Sequence, residues 1–513
     1  MKRSIRLLPA FLTVGTWTLL SRVFGLARDI LLASYLGSGP AAQAFLVAFT
    51  LPNMFRRFFA EGAFNMAFVP MFAKRLETGD EPKEFARDAL SGLVTILMGL
   101  CVVAQVFMPW LVLAMASGFQ GDERFELSVH YGRIAFPYIL FISVAALLSG
   151  VLNALGRFAA AAAAPVLMNI TMISFLLIGD LVGGEVALWL VWAVPVAGVA
   201  QLVLVWKAAA NAGYRLVPRR PRLTPELKRL AIIAGPAIIA GGVTQINLLV
   251  GRQVGSFFDG AVAWLSFADR LYQLPLGVVG IAIGIVLLPD LARKLGANDE
   301  QGSRFAVNRA TEFTLALTLP ATLALILIPT PLVSVLYERG EFTASDTART
   351  ALAVAIYGAG LPAFVLQKVF LPMYYVREDT RTPLRFAVYG MLVNVVVAIA
   401  LAPVMGFAAA ALGTTVAGWV MTLLLWNGSR SMGESVRADA RLLRTLPRLI
   451  LATLMMGGVL VVLEQVLSAH LQLPVWRYGA LALLVAFGMA TYAAAVLLTG
   501  AMTRADIRSM IRR

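Results

Sequence analysis

Arginines inside long apolar stretches are the residues of this sequence best suited to chemistry. Arg22 and Arg28 lie in the first stretch, and Arg56 and Arg57 lie in the second. Arg270 lies in a later one. Each arginine at the centre of a membrane-spanning helix costs about 2.5–3.5 kcal/mol, so the five together cost of order 12–17 kcal/mol. Guanidinium stays charged and forms forked hydrogen bonds with phosphate. The pattern therefore predicts a wet site at bilayer depth that binds an anion through these five residues.

Only three acids lie near these arginines in the sequence, namely Asp29, Glu61 and Asp269. They leave about two positive charges unmatched, which favours anion binding over internal neutralisation. We interpret Asp29, Asn53, Glu61 and Asp269 as supporting residues that orient the arginines. For Glu61, proton sensing is a second interpretation.

The adjacent pair Arg56 and Arg57 presents an alternative that the sequence leaves open. Neighbouring side chains on a helix point roughly 100° apart. We therefore expect one of the two to face the site, while the other pairs with Glu61 or contacts lipid headgroups.

Composition indicates an integral membrane protein. The 513 residues are 59% hydrophobic and 14% charged, whereas soluble domains have roughly 25% charged residues. Helices are expected because lipid cannot satisfy free backbone groups. The predicted fold is all-α, with about 14 transmembrane helices. Apolar segments of spanning length fall at about 7–36, 41–72, 88–116, 127–152, 159–179, 186–208, 229–256, 260–289, 310–336, 350–375, 383–402, 406–427, 445–468 and 475–500.

The positive charges predict the orientation of these helices. Of the 43 Lys and Arg residues, 31 fall at the termini, in the loops on one side or at the helix ends next to them, and five fall in or next to the opposite loops. Basic loops stay in the cytoplasm, so both termini are predicted to be cytoplasmic. The net charge of +15 thus reflects topology first, and binding of anionic membrane lipids by the loop at 215–229 is a secondary expectation. We expect no nucleic-acid partner.

An internal repeat predicts two lobes of six helices. The segment AFVPMFAKRL at 67–76 resembles VLLPDLARKL at 286–295, an offset of about 220 residues or six helices. An even number of helices gives a parallel repeat, and transport substrates bind between such halves. The predicted domains are residues 1–220, residues 221–430, and residues 431–513 with a basic linker, two further helices and a basic tail.

The sequence lacks the usual signs of an enzyme. It has no P-loop or glycine-rich nucleotide fingerprint, and its two histidines, His130 and His470, lie far apart. Asp269 and Arg270 fit a local ion pair better than a catalytic acid with its activator. We predict no metal, no cofactor and no enzymatic activity.

Several motifs closely resemble the MurJ/MviN family of lipid II flippases. They are SRVFGLARD at 21–29, AFTLPNMFRRFFAEGAF at 48–64, AFVP at 67–70, ADRL at 268–271 and GEFT at 340–343. The resemblance runs over almost the whole length. It implies membership of the multidrug/oligosaccharidyl-lipid/polysaccharide exporter superfamily, whose members have two six-helix lobes.

The resemblance implies a bacterial inner-membrane flippase for lipid II, the undecaprenyl-pyrophosphate-linked disaccharide pentapeptide. The family's cavity arginines fall on Arg22, Arg28, Arg56 and Arg270, and its cavity acid falls on Glu61. The family's apolar groove for the polyprenyl tail falls on about 445–500. Other cell-wall synthesis proteins are candidate partners.

Two positions depart from the family pattern, because acids common there are replaced by Gln43 and Gln273. These changes put in doubt any coupling scheme that needs those acids. Coupling to membrane potential, sodium or protons therefore stays open.

The functional hypothesis is alternating access, in which a cationic cavity between the lobes binds the pyrophosphate of lipid II and then opens outward. One alternative is a cation-coupled drug or oligosaccharide-lipid exporter of the same architecture, although a carrier of cationic drugs would need acids in the cavity. A membrane scaffold and a polyprenyl-phosphate glycosyltransferase are the alternatives outside transport.

Overall fold

The computed structural model describes residues 7–57, 63–286, 293–294, 296–297, 299–433 and 437–502. Over these ranges the chain forms seventeen α-helices and no β-strand. The predicted all-α class is therefore confirmed. Its physical basis is that a helix satisfies its backbone hydrogen bonds internally, as a lipid environment requires.

The helices follow one another with short connections. In chain order they are α1 (Leu7–Leu36), α2 (Pro40–Arg56), α3 (Ala63–Thr78), α4 (Pro82–Ala116), α5 (Glu123–Ala135), α6 (Tyr138–Ala154), α7 (Ala159–Val182), α8 (Val186–Asn211), α9 (Pro225–Ser256), α10 (Ala261–Val286), α11 (Glu300–Leu327), α12 (Pro329–Tyr337), α13 (Ala344–Tyr375), α14 (Arg381–Met405), α15 (Ala408–Ser429), α16 (Ala440–Gln472) and α17 (Arg477–Leu498).

Ten helical segments in the described ranges are long and apolar enough to cross a membrane. They are α4, α7, α8, α11, the five helices from α13 to α17, and α5 joined with α6. The chain is therefore a multi-pass membrane protein. Helix α1 has the bounds predicted from the sequence, 7–36, while the total of fourteen spans stays a prediction.

Two predicted segments are each divided into two helices, and a third is described only in two parts. The segment at 127–152 is interrupted at Phe136 and Pro137, and the segment at 310–336 is interrupted at Ile328, directly before Pro329. Proline cannot donate a backbone hydrogen bond, so a helix readily begins at it. The segment at 41–72 comprises α2 and α3, and residues 58–62 between them lie outside the described ranges.

Contacts divide the chain into two compact units. The first unit is residues 1–263 with 339–342, and the second unit is residues 264–338 with 343–513. The predicted boundary near 220 follows the internal repeat, whereas contacts assign α9 to the first unit, where it packs on α3 and α4. The duplication itself stays a prediction.

Polar contacts at the C-terminal end of α9 explain why this helix belongs to the first unit. The Arg252 guanidinium donates to the Leu46 carbonyl at 2.9 Å. The Gly118 N–H donates to Ser256 Oγ at 3.0 Å. A side chain at Gly118 would overlap the backbone of Ser256 and Phe257, so glycine permits this close approach.

The segment 339–342 also belongs to the first unit, although it lies between α12 and α13 in the sequence. Its Glu341 N–H donates to the Ser34 carbonyl near the end of α1 at 2.9 Å. Gly340 has a φ of +56°, and a Cβ there would overlap Ser34. The sequence shows only the GEFT motif at 340–343 here, and the structure adds a docking contact on α1.

In the second unit, α16 packs on α11 and α17. Gly457 of α16 lies directly against Leu323 of α11, because small residues let membrane helices approach closely. Arg309 joins the starts of the two helices by an ion pair with Asp439 at 2.5 Å and a second one with Glu312.

Candidate functional site

Asn169, near the middle of α7, makes a buried polar junction with α1. Its Nδ2 donates to the Ser21 carbonyl at 3.1 Å and to the Pro165 carbonyl at 3.2 Å. Its Oδ1 accepts a hydrogen bond from Arg28 Nη1 at 3.0 Å. One amide thus holds both the backbone and a side chain of α1, which fixes the rotation of α1 against α7.

Arg28 is buried and forms an ion pair with its neighbour Asp29. Arg28 Nε and Nη2 lie 3.0 and 2.6 Å from the same Asp29 oxygen. Arg28 Nη1 also lies 3.7 Å from the Met172 sulfur, and the guanidinium carbon lies 6.0 Å from the Phe49 ring centroid. Both charged side chains are about 10% exposed or less. The charge of Arg28 is therefore compensated inside the first unit, and its side chain is held by partners on α1 and α7.

Arg22 has a different environment on the same helix. It lies near the middle of α1, about 9 Å along the axis from Arg28. Its side chain is partly exposed, and within the described ranges it has no hydrogen bond or ion pair. Arg22 thus presents a cation in the middle of an apolar helix, and no described carboxylate forms an ion pair with it.

The C-terminal end of α2 carries the second pair of arginines. Arg56 Nε donates to Asn53 Oδ1 at 3.2 Å, and Asn53 Nδ2 donates to the Phe49 carbonyl at 2.8 Å. Arg57 caps the helix and is exposed, and its side chain makes no polar contact within the part of the chain that the structure describes. Glu61, the predicted supporting acid, lies outside that part.

Arg270 and Asp269 lie on α10, in the second unit. Both side chains are partly buried. Asp269 accepts a hydrogen bond from Gln273 one turn later on the helix. Gln273 thus contacts the predicted supporting carboxylate directly.

Gln43, the other departure from the family pattern, is fully buried in a polar cluster of the first unit. Its Nε2 donates to Asp259 at 2.9 Å, and its Oε1 accepts from Arg124 at 3.3 Å. Arg124 forms an ion pair with Asp122 at 2.5 Å. The neutral amide can donate to the acid and accept from the arginine at the same time. Sequence reasoning assigned no role to Arg124 or Asp259.

Comparison with known proteins identifies the family of this chain. The sequence profile described as "Lipid II flippase MurJ" matches residues 32–499. A curated protein of Rhizobium tropici named "Probable lipid II flippase MurJ" is 43% identical over 518 residues, which cover 99% of this chain and 97% of that protein.

The chain belongs to the lipid II flippase MurJ family.

Solved structures agree on the fold of this family member. A structure described as "Lipid II flippase MurJ, inward closed conformation" has a TM-score of 0.79 at 24% identity and covers 94% of this chain and 98% of its own. An inward-facing multidrug resistance MATE transporter of the MOP superfamily has a TM-score of 0.67 at 17% identity, covering 82% and 96%. The resemblance to the family, expected from the motifs, is confirmed.

The arginines of the family's motifs differ in their polar partners in this structure. Arg28 with Asp29, and Arg56 with Asn53, form contacts within the first unit, while Arg22 and Arg57 have no such polar partner in the described ranges. Asn169 was missed by sequence reasoning. It is one of several polar residues in a mostly apolar helix, and only the packing of α7 on α1 reveals its partner.

Proposed function

We propose that this protein moves lipid II from the cytoplasmic to the periplasmic leaflet of the bacterial inner membrane. The observation that carries the proposal is family membership over nearly the entire chain. Relatives carry the name of a flippase, and the spanning helices of this chain suit transport of a lipid-linked substrate. The proposed activity is transport, with no covalent chemistry.

We assign the first contact with the diphosphate to Arg22 and Arg57. Both side chains lack an ion pair in the described ranges, and a charged donor without a protein acceptor favours an anionic ligand. Phosphate oxygens would replace the water around the two guanidinium groups. For Arg56 and Arg270, contact with the substrate stays a prediction from the sequence.

Arg28 has a positioning role in this proposal. Its guanidinium is held by Asp29 and Asn169, so using it as a direct ligand would require breaking buried polar contacts. We expect the three-residue junction to set the rotation of α1 and thereby the direction of Arg22. Removing Arg28 would weaken substrate binding through the placement of α1.

The polyprenyl tail would remain in the hydrocarbon phase, along α16 and α17. These helices present exposed apolar side chains such as Leu454, Val466 and Phe487. Alternating access would carry the headgroup across, and the membrane potential would act on an empty cationic site with about 2.3 kcal/mol per charge per 100 mV. We therefore propose the membrane potential as the energy source. Flipping that persists unchanged in vesicles without a potential would contradict this part of the proposal.

Substitution of the two uncompensated arginines tests the function. We expect Arg22→Gln and Arg57→Gln each to weaken binding of purified lipid II about 10–100-fold, because a hydrogen bond to a charged group contributes about 1.5–3 kcal/mol. The same variants should fail to support growth of cells depleted of their own flippase. Binding is measured with the full-length protein in detergent micelles.

The matched control is Arg133→Gln, which removes an exposed arginine of α5 that contacts a backbone carbonyl. It should bind lipid II and support growth as the parent does. Normal binding and growth in both test variants would contradict the assignment. Extrusion of cationic drugs without any binding of lipid II would favour the drug-exporter alternative.

A further inference from the structure

An apolar crevice lies on the first unit between α4, α6, α8 and the connection from α8 to α9. Its volume is about 350 Å³, which falls in the range of roughly 300–1,000 Å³ typical of ligand sites. Its lining includes Val94 of α4, Leu148 of α6 and Val203 of α8, and all of the lining residues are apolar. Val203 is 41% exposed, so the crevice opens at the surface of spanning helices.

One end of the crevice is lined by a fixed piece of the connection from α8 to α9. Leu216 and Pro218 line that end, and Trp206 Nε1 donates to the Leu216 carbonyl at 3.1 Å. Arg219 then ties the connection to α4 through an ion pair with Asp88 at 2.5 Å. These contacts hold the crevice in a defined shape.

The acids nearest this end are already neutralised. Arg219 contacts Glu84 at 2.6 Å as well as Asp88, and its hydrogen bond to Asp88 raises the pKa of Arg219. Arg87 also contacts Glu84 at 3.1 Å. Glu84 and Asp88 are therefore not available to repel an anion at the mouth.

Basic residues lie at the end of α8 and in the connection that lines this end. The Arg215 guanidinium carbon lies 5.9 Å from the Trp206 ring centroid, and the side chains of Lys207, Arg215 and Arg220 are exposed. No acidic residue occurs between positions 201 and 224. The crevice therefore combines an apolar body with a positively charged end, on the side of the predicted cytoplasmic loops.

We propose that this crevice binds an anionic phospholipid, with one acyl chain between α4, α6 and α8 and the headgroup phosphate beside Arg215 and Arg220. An acyl chain matches a wholly apolar lining that opens toward hydrocarbon. The phosphate matches basic side chains at the membrane surface, which attract anionic lipids. The crevice lies apart from the arginines of α1 and α2, so this lipid is a second ligand beside the transported substrate.

Native mass spectrometry of the full-length protein tests the site, using phosphatidylglycerol and phosphatidylcholine as probes. We expect the protein to retain phosphatidylglycerol about tenfold more than phosphatidylcholine. Val203→Phe, which fills the crevice, should reduce retention of phosphatidylglycerol about tenfold. The double substitution R215Q/R220Q should abolish the preference between the two lipids.

Matched controls lie on α14 of the second unit. Val396→Phe enlarges a side chain that is 63% exposed, and Arg381→Gln removes an exposed cation; both should retain lipid as the parent does. Equal retention of the two lipids by the parent, or equal effects of Val203→Phe and Val396→Phe, would overturn the proposal. Selective retention of a polyprenyl phosphate instead of phosphatidylglycerol would also overturn it.

Tryptophan quenching gives a readout that does not depend on the filled variant. Phosphatidylglycerol brominated on its acyl chains should quench the parent more than Trp206→Phe, since Trp206 lines the crevice. Identical quenching of the two proteins would place the acyl chain elsewhere and overturn the proposal. Thermal unfolding of each variant checks that the fold is retained.

Discussion

At the scale of single residues, the five predicted arginines separate into different classes. Arg28 is compensated by Asp29 and held by Asn169, whereas Arg22 is not compensated within the described ranges. Adjacent helix residues do not normally face each other, so the ion pair depends on the long arginine side chain turning back along α1. The cost of burying Arg28 is reduced by its partners, and for the partly exposed Arg22 we propose that an anionic ligand provides the compensation.

The buried pair predicts a non-additive effect on stability. Asp29→Asn should lower the free energy of unfolding by about 3–5 kcal/mol, because it leaves a buried guanidinium without its carboxylate. Arg28→Gln should lower the free energy of unfolding by a similar amount, because it leaves the buried Asp29 carboxylate without its guanidinium. The double variant should lose less than the sum of the two, since neither charge then remains. Unfolding of the purified protein in detergent measures all three.

The double variant also separates the two roles considered for Arg28. If Arg28 only positions α1, the Asp29→Asn and Arg28→Gln combination should recover part of the lipid II binding that either single change loses. Recovery of stability with no recovery of binding would instead identify Arg28 as a direct ligand of the diphosphate.

At the scale of elements, helix starts and breaks are set by short-range chemistry. Thr343 and Asp346 form a reciprocal capping box at the start of α13, and Pro329 begins α12. Such features satisfy the unpaired N–H groups of the first helical turn. They fix where each helix begins, but not which helices pack together.

Asp379, in the connection before α14, provides a pH-dependent test of one helix start. Its carboxylate accepts a hydrogen bond from the Thr382 N–H at 2.9 Å. Hydrogen bonds from Thr382 hold the pKa of Asp379 below its ordinary value of 3.8. The group therefore contributes stability above about pH 3.8, which is lost as the pH falls through the lowered pKa.

We expect Asp379→Ala to unfold at a lower temperature than the parent at pH 7, with the difference shrinking as the pH falls below 3.8. Asp379→Asn keeps an acceptor without a titrating charge, so its own contribution should not change with pH. A constant difference between Asp379→Ala and the parent from pH 7 to pH 3 would contradict the assigned pKa. Thermal unfolding followed by circular dichroism at each pH gives the comparison.

At the scale of the whole molecule, the distribution of positive charge predicts orientation. The 31 basic residues at the termini and in or next to one set of loops, against five in or next to the other set, assign the basic side to the cytoplasm. Leu223 lies in the connection between α8 and α9 on the predicted cytoplasmic side, and Val475 lies between α16 and α17 on the opposite side. Both side chains are highly exposed.

Single-cysteine labelling checks this orientation in a background where the native Cys101 is replaced by serine. A membrane-impermeant maleimide on intact spheroplasts should label Val475→Cys, and it should label Leu223→Cys only after the membrane is permeabilised. The opposite result would place the termini in the periplasm. Since both positions are exposed, a difference in labelling reports the side of the membrane and not burial.

The sequence by itself determined the fold class, the C-terminal end of α1, the family and the segments that carry arginines. These properties follow from apolar length, local capping and contiguous motifs, all of which are local in the chain. It did not identify Asn169 as the partner of Arg28, or the docking of residues 339–342 on α1. The predicted domain boundary near residue 220 stays a prediction, and contacts group α9 with the first unit.

Only the tertiary structure could decide these points, because each depends on which helix faces which. Asn169, Thr171 and Ser174 are all polar residues of α7, and the sequence gives no reason to choose among them. The packing of α7 on α1 brings the Asn169 amide to Arg28 and to the Ser21 carbonyl. Apolar burial allows two helices to pack in a membrane protein. The few polar groups at the contact then determine the rotation of the helices, because an unsatisfied polar group in an apolar environment is costly.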